Sequence, residues 1–506
     1  MKRRIAGSGI AALAALALGQ PTCLPFGNHT EAARPAASTT LAPAPDPFAT
    51  FEANASASVD PAPAGHGAPV VIQHATVMTA TGRKFASGFV AMEDGLITSI
   101  GEGDGPPPKP GSTVVVDGRG KFVTPGIIDP HSHIGVYPVP DTAAHDDGNE
   151  MTDPVTAGVR AEHSFWPQDP AIERAVAGGV TTIAVLPGSG NLIGGRGIVM
   201  HLTPQRGARA MRFPGAPELL KMACGENPKR VYKEQKRSPT TRMGSLRTLR
   251  EAFLRAQKYA RDLAEWTRKS QEAASAPPKK QDDKSGNDPP KPPDRDLSLE
   301  TLALVMRGDI LVQWHCYQAD DMLAALQVAD EFGFKVRAFH HALEAYKIRD
   351  VLSRKRVAIA TWDDWWGFKM EAYDGIPENL ALLTEAGVRA SLHSDSPIAI
   401  QFLNQAAGKA LAAGRAAGVE LDEEDALRWL TANPAWLLGI DEQVGTLEVG
   451  KRADVVVWSD NPLSTYARAE MVYVDGQLVF DRAHVGAPWS DFELGVRAMP
   501  PKGKTK

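Results

Sequence analysis

Between Val123 and Gly439 the chain alternates apolar, β-branched runs with helical stretches, and this alternation limits its folds more than any other feature. Val180 to Leu186, closed by Pro187-Gly188, has the composition of a strand buried on both faces. Leu219 to Cys224, Ile310 to Cys316, Val336 to His341, Val357 to Thr361 and Val388 to Asp395 continue the series. Helical patterns such as Ala319 to Phe332 and Pro377 to Ala386 lie between them. Such β–α repetition over roughly 300 residues favours a parallel sheet closed into a barrel. Both ends of the chain differ from the centre. Val70 to Ile72, Thr76 to Met78, Gly88 to Met92, Leu96 to Ile100 and Val114 to Val116 are short β-rich runs. After Gly439 the pattern returns in Ala453 to Trp458 and Met471 to Phe480, where Asp475-Gly476 is a hairpin signal. The expected fold class is therefore α/β: a (β/α)8 TIM-like barrel over 124–440, with a small β-sandwich assembled from 69–123 and 441–485. A tail occupies 486–506.

The segment before the first sheet run is of another kind. Lys2, Arg3 and Arg4 precede an apolar run from Ile5 to Leu18, then small residues and Pro21, the form of a secretory signal peptide over 1–22. Export to a periplasmic or extracellular space follows; an uncleaved anchor, or a lipid on Cys23, is the alternative. Residues 23–68 are rich in Ala and Pro without apolar periodicity and read as a disordered tether. A second low-complexity insertion falls at 270–298, behind a long amphipathic helix marked by Leu246, Leu249, Phe253, Ala256, Tyr259, Leu263 and Trp266. The Lys/Arg-rich outer face of that helix reads as solvated surface.

A formal net charge of −5 argues against a nucleic-acid partner. No later run is apolar over the roughly 18 residues a membrane span needs, so none is expected in the mature chain. Three cysteines exclude a disulfide scaffold. Cys316 follows His315, and Cys224 has opposite parity to Lys221, so both are expected outside the barrel centre as free, buried thiols.

The chemistry centres on Thr124-Pro125-Gly126-Ile127-Ile128-Asp129-Pro130-His131-Ser132-His133. Ile127 and Ile128 mark a strand, and side chains two apart share a face, so His131 and His133 can converge on one metal ion at its end. That end is where barrels of this class carry their catalytic groups.

The segment resembles the first-strand metal motif of the amidohydrolase superfamily, and Gly445 to Asp454 resembles the stretch with which those proteins re-enter their small β domain. The likeness spans about Pro69 to Arg482 and is nearest the imidazolonepropionase-like and Xaa-Pro-dipeptidase-like branch. It implies a metal-activated water attacking a carbon–nitrogen bond, with ligands from strands one, four, five, six and eight. His315, ending an apolar run, matches the fifth-strand ligand. His341-Ala342-Leu343-Glu344 resembles the sixth-strand His-x-x-Glu, which favours His341 over His340; adjacent strand residues point oppositely, so one of the two is expected to face inward. Asp395 resembles the residue that binds metal and shuttles the proton, although an Asp there could also cap the next helix. Lys221 is an apolar-flanked lysine in a predicted strand, and in several branches such a lysine bridges two metals as a carbamate. Solvent-reaching Lys221, or Glu226 as the carboxylate instead, is the competing reading.

Asn191 lies in Gly188 to Gly195, a loop expected over the site. It lacks the Lys-Ser/Thr of a phosphate cradle. Tyr232 and Arg242 could hold a substrate carboxylate, His393 shares a face with Asp395 and could touch substrate, and Trp362, Trp365 and Trp366 offer an aromatic wall or helix packing. Nitrogen and oxygen donors suit one or two divalent ions, with zinc the first choice. The reading is a metal-dependent hydrolase of non-peptide carbon–nitrogen bonds in linear or cyclic amides, with a small-molecule amide or dipeptide-like substrate. An Xaa-Pro or Xaa-Arg metallo-dipeptidase or carboxypeptidase is the rival enzyme, and a metal-free scaffold the rival of another class. Metal count and oligomeric state, a homo-oligomer included, stay open.

Overall fold

The computed structural model describes residues 67–205, 207–275, 291–365 and 367–484. The expected signal peptide, the tether up to residue 66, Trp366, much of the 270–298 insertion and the 486–506 tail lie outside the described residues. The first β-rich part supplies β1 (Val70–Met78), β2 (Lys84–Glu93), β3 (Leu96–Glu102), β4 (Val114–Asp117) and β5 (Phe122–Pro125). The runs at 70–72 and 76–78 are one strand, with register shifts between them. β1 pairs antiparallel with β2, and takes β4 along its first half and β5 along its second, both parallel.

The centre supplies β6 (Ile127–Ser132), β7 (Val180–Val185), β8 (Ile193–His201), β9 (Glu218–Ala223), β10 (Ile310–Cys316), β11 (Val336–His341), β12 (Ala358–Thr361) and β13 (Ala390–Leu392). These eight are hydrogen-bonded in sequence order. The end strands approach through single contacts, of which Asp395 N–H donating to the His131 carbonyl (3.1 Å) is one. The sheet is thus a nearly closed eight-stranded barrel.

The expected all-parallel barrel needs one correction: β8 runs antiparallel to both β7 and β9. Parallel neighbours need a crossover of about a dozen residues or more. The short stretch 186–192 has no room for one, so the chain turns back as a hairpin. Its glycines are required there. A Cβ on Gly197 would lie 2.6 Å from Leu186 Cδ2, and Gly195 sits at φ +119° with Val159 O 2.8 Å from the position a Cβ would take. These glycines interrupt the apolar run, so part of a fully buried strand reads as loop.

β14 (Val455–Trp458), β15 (Ala469–Val474) and β16 (Gln477–Asp481) then rejoin the first sheet. β14 lies antiparallel to β5, with Val456 opposite Thr124. Both β-rich parts of the chain therefore share one hydrogen-bonded sheet. Ile72, Val77, Val90, Val123, Val455 and Tyr473 meet in one apolar cluster. Asp475 (φ 50°) and Gly476 (φ 71°) supply the left-handed pair that the tight β15–β16 turn needs.

The amphipathic helix runs from Arg242 to Ser275, longer than its apolar pattern and into the expected insertion. Leu249, Phe253, Ala256 and Tyr259 are buried, and Phe253 stacks on Phe334 at 4.5 Å. Outward cations pair one turn away, as in Arg247–Glu251, Lys258–Asp262 and Arg268–Glu272.

The cysteine expectation is corrected. Cys224 and Cys316 form a disulfide, with Cα atoms 5.3 Å apart. Parity considers each strand alone, whereas register decides which residues are neighbours. β9 and β10 are adjacent, with Ala223 opposite His315, so the next residue of each lies within bridging distance.

The end of β8 is tied to the small sheet by charge. His201 lies 3.2 Å from Asp454 and 3.5 Å from Asp475, and Arg452 holds Asp475 with two hydrogen bonds of 2.7 and 2.6 Å. Burial opposes the charged imidazole, but Asp454 and Asp475 outweigh it and raise His201 to about 9. A raised folded-state value means stability that is complete below the unfolded histidine value, near 6.5, and lost as pH rises through about 9. The unfolding midpoint should therefore fall between about pH 6.5 and 9. His201→Gln should flatten this slope and cost about 3 kcal/mol at neutral pH, checked by denaturant melts.

Candidate metal centre

The site forms where the carboxyl-terminal ends of β6, β9, β10, β11 and β13 meet. Asp129 organises the first and last of these. Its carboxylate accepts the backbone N–H groups of His131 and Ser394, each at 3.1 Å, and the Ser394 hydroxyl. His133 is oriented by its own donor: Nδ1–H donates to the Leu186 carbonyl at 2.7 Å. The lone pair is then on Nε2, 3.4 Å from His131 Nε2 and 3.2 Å from Asp395 Oδ1. His131 Nε2 lies 3.5 Å from the same oxygen and 3.3 Å from Lys221 Nζ.

Three more imidazoles complete the nest. The His341 ring is 4.4 Å from His315, 4.7 Å from His131 and 4.9 Å from His393. Both ring nitrogens of His315 and of His393, and Nδ1 of His341, are buried without a hydrogen-bond partner. Leaving such groups unpaired is costly. Potential donor atoms fall in two groups that share His131: His131, His133 and Asp395, and His131, His341 and His393. Nitrogen lone pairs and a carboxylate facing one another at these distances call for positive charge between them. The residues therefore fit a divalent cation.

Burial is the leading cause of most of the shifts here. It holds His131, His315, His340 and His341 well below the ordinary histidine value, with nearby Lys221 and neighbouring histidines adding to it, and it brings His393 to about 3. It also lowers Lys221 to about 8, against the pull of Asp395. For Asp395 burial acts upward, but His133, His393 and Lys221 prevail and its carboxyl lies below the usual carboxylate value.

His340 and His341 correct the expectation that one of them faces inward: both do. His341 has left the extended conformation (φ 67°), as has Ala342 (φ 40°), and this breaks the alternation of the strand. His340 Nδ1 is 2.9 Å from His131 Nδ1, and its Nε2 is 2.8 Å from Gln313 Oε1. Both of its ring nitrogens are thus engaged, whereas His341 Nδ1 has no such partner.

The residues proposed for substrate contact are distributed differently. Asn191 is fully buried, and its amide holds the preceding loop through the Glu150 and Asp153 carbonyls and Asn149. Tyr232 is equally buried and donates to the Asp153 carbonyl at 2.7 Å. Arg242 is held by Asp321 at 2.8 Å and Glu371 at 2.9 Å. It lines a cleft of about 990 Å³ with Glu226, Lys229, Arg230 and Lys233, a cleft whose lining includes none of the nest histidines. Glu226 stands 3.2 Å from Lys369, so the fourth-strand group inside the nest is Lys221. Only His393 of the four joins the nest. Trp362 is buried against His341 (4.6 Å) and His393 (4.9 Å) and stacks on the half-exposed Trp365.

Sequence reasoning passed over Gln313 and Tyr317, two residues before and two after His315. Tyr317 stacks on His341 at 5.1 Å. Both share the parity of His315, and a polar residue at an inward position of a buried strand was the available signal.

An amidohydrolase of known structure from Thermotoga maritima is 37% identical, covering 82% of this chain and 100% of its own, with a TM-score of 0.71. The chain belongs to the amidohydrolase family. The sequence model described as Amidohydrolase family matches residues 343–480 of this amidohydrolase. Amidohydrolase tasK of Hapsidospora irregularis is 33% identical over 451 residues, 82% of this chain and 44% of its own length. Imidazolonepropionase of Treponema denticola is 38% identical over 52 residues, 10% of this chain and 13% of its own. The chain thus spans less than half the length of these two curated relatives.

The neutral imidazoles predict an acid limit to stability. Their folded-state values are depressed, so below about pH 6.5 the unfolded chain binds more protons than the folded one. Chelator-treated protein should therefore lose thermal stability steadily from about pH 7 to pH 5, followed by circular dichroism. Addition of zinc at pH 7 should raise the midpoint.

Proposed function

We propose that this amidohydrolase hydrolyses non-peptide carbon–nitrogen bonds in linear or cyclic amides with one or two divalent ions, zinc first among them. His131, His133, His315, His341, Asp395 and Lys221 would hold the ions. The supporting observation is that ligand atoms of His131, His133 and Asp395 meet at one point and those of His131, His341 and His393 at another, while both nitrogens of His315 and His393 are buried and unpartnered beside them. A cation bound there polarises a carbonyl and acidifies a water. Asp395, ionised at neutral pH, takes the proton of the attacking water and returns it to the departing nitrogen. His133, fixed by the Leu186 carbonyl, keeps its lone pair turned to the same point. His393 borders that point and is available to a further ion or to the substrate.

Lys221 bears on the number of ions. Lowered to about 8, its amine is partly neutral near physiological pH. It can form a nitrogen–carbon bond with carbon dioxide and release a proton, which leaves a carbamate with two oxygen donors. The dipeptidase reading is weakened because Arg242 is already paired with acids and Tyr232 with a carbonyl. A substrate without a free carboxylate is therefore preferred.

Asp395→Ala should lower turnover of a responsive substrate, found among N-acyl amino acids, dipeptides and cyclic amides, by about a hundredfold to ten-thousandfold. His131→Ala should lower metal content and turnover together; full activity in either variant contradicts the mechanism. Lys221→Ala should reduce two bound ions to one or none by elemental analysis. Bicarbonate with metal should restore the stripped wild type and leave this variant inactive. Two tightly held ions in Lys221→Ala would remove Lys221 from the bridging role.

A further inference from the structure

We infer that Gln313 and His340 form a positioning relay that fixes the hydrogen of His131 on Nδ1 and so presents the Nε2 lone pair to the cation. The chain begins at a helix end. The Leu437 carbonyl lies in the last turn of the helix Ala432–Leu438, where carbonyls lack partners within the helix. It faces Gln313 Nε2 at 3.5 Å and also accepts from Arg337 Nε at 3.3 Å. A carbonyl opposite the Gln313 side chain requires its amide nitrogen there, which turns Oε1 to His340 Nε2 at 2.8 Å. An oxygen acceptor at that distance requires the hydrogen on Nε2 of His340.

A neutral imidazole has one such hydrogen, so Nδ1 of His340 is an acceptor. His340 is fully buried, its two ring nitrogens face Gln313 and His131, and no carboxylate of the described residues pairs with it, so its imidazole is neutral. Across the 2.9 Å contact His131 Nδ1 must then donate. The remaining lone pair of His131 is on Nε2, the atom that faces Lys221, His133 and Asp395 at 3.3, 3.4 and 3.5 Å. Gln313, His340 and His131 are all fully buried, so water does not compete for these contacts. The left-handed turn at His341 lets His340 serve His131 while the next residue enters the nest.

The metal arm of this inference rests on the cation reading above; the tautomer arm stands without it. Imidazole ¹⁵N spectra of the full, chelator-treated chain, with the His131 signals assigned by difference against His131→Asn, read the tautomer directly. In the wild type His131 should carry its hydrogen on Nδ1 alone. His340→Phe fills the space without an acceptor. It should give mixed His131 tautomers and weaken zinc about ten- to a hundredfold in chelator competition. His340→Asn, whose Oδ1 can accept from His131 Nδ1–H, should restore most of both. Gln313→Leu supplies the same test if His340→Phe does not fold. A wild-type His131 protonated on Nε2, or His340→Phe and Gln313→Leu with wild-type spectra and zinc affinity, would overturn the relay. Should the wild type bind no divalent ion while its His131 holds the Nδ1 hydrogen, the cation reading fails and the relay stands.

Discussion

Closure of the barrel at Asp129 is the interaction on which the site depends. The sheet forms ladders from β6 through to β13, but the first and last strands meet through few direct bonds. The Asp129 carboxylate supplies what the ladder lacks, accepting from the backbone of His131 on one side and Ser394 on the other. The donor residues lie beside these anchors: His131 carries one of the N–H groups, and Asp395 follows Ser394. Burial raises this carboxyl to about 7, while the Ser394 hydroxyl and the two N–H groups oppose the rise. Desolvation is the cost of the staple, and the three donors offset part of it.

Strained backbone helps to bring the donor groups together. His341, Ala342 and Asp395 all have left-handed φ values without being glycine. Regular strands would send alternate residues away from the site, and such conformations persist only where surrounding contacts hold them. For Asp395 the contact is its own N–H to the His131 carbonyl, and for Ala342 it is N–H to the Cys316 carbonyl at 2.9 Å. The strain buys a density of donor groups that ordinary strand ends cannot offer.

What could be read from the chain divides along physical lines. The His131–His133 pair was legible because a two-residue period and a strand end are local properties, as was the Asp475-Gly476 turn. Lys221 announced itself by its apolar neighbours. The reversal of β8 was hidden because its glycines serve close packing against Leu186 and Val159 and look like loop in sequence. The cysteine pairing and the inward turn of both His340 and His341 were hidden for a related reason. One depends on register between strands and the other on a departure from strand geometry, and parity reports neither. Asn191 and Tyr232 looked available because their types are polar; burial and carbonyl partners several dozen residues away decided otherwise.

The aromatic surroundings complete the electrostatic argument. Tyr317 and Trp362 lie against His341 on stacked faces, and Trp362 also reaches His393. These rings keep water from the imidazoles, which is why burial heads the causes that hold the histidines neutral. A neutral imidazole is the form that binds a cation, so the apolar wall prepares the nest before any ion arrives. The same exclusion of water makes unpaired nitrogens expensive in the metal-free chain. Packing and charge therefore act in one direction: the aromatic wall that destabilises the empty nest raises the gain from filling it, and a cation bound there would become part of what holds the upper end of the barrel together.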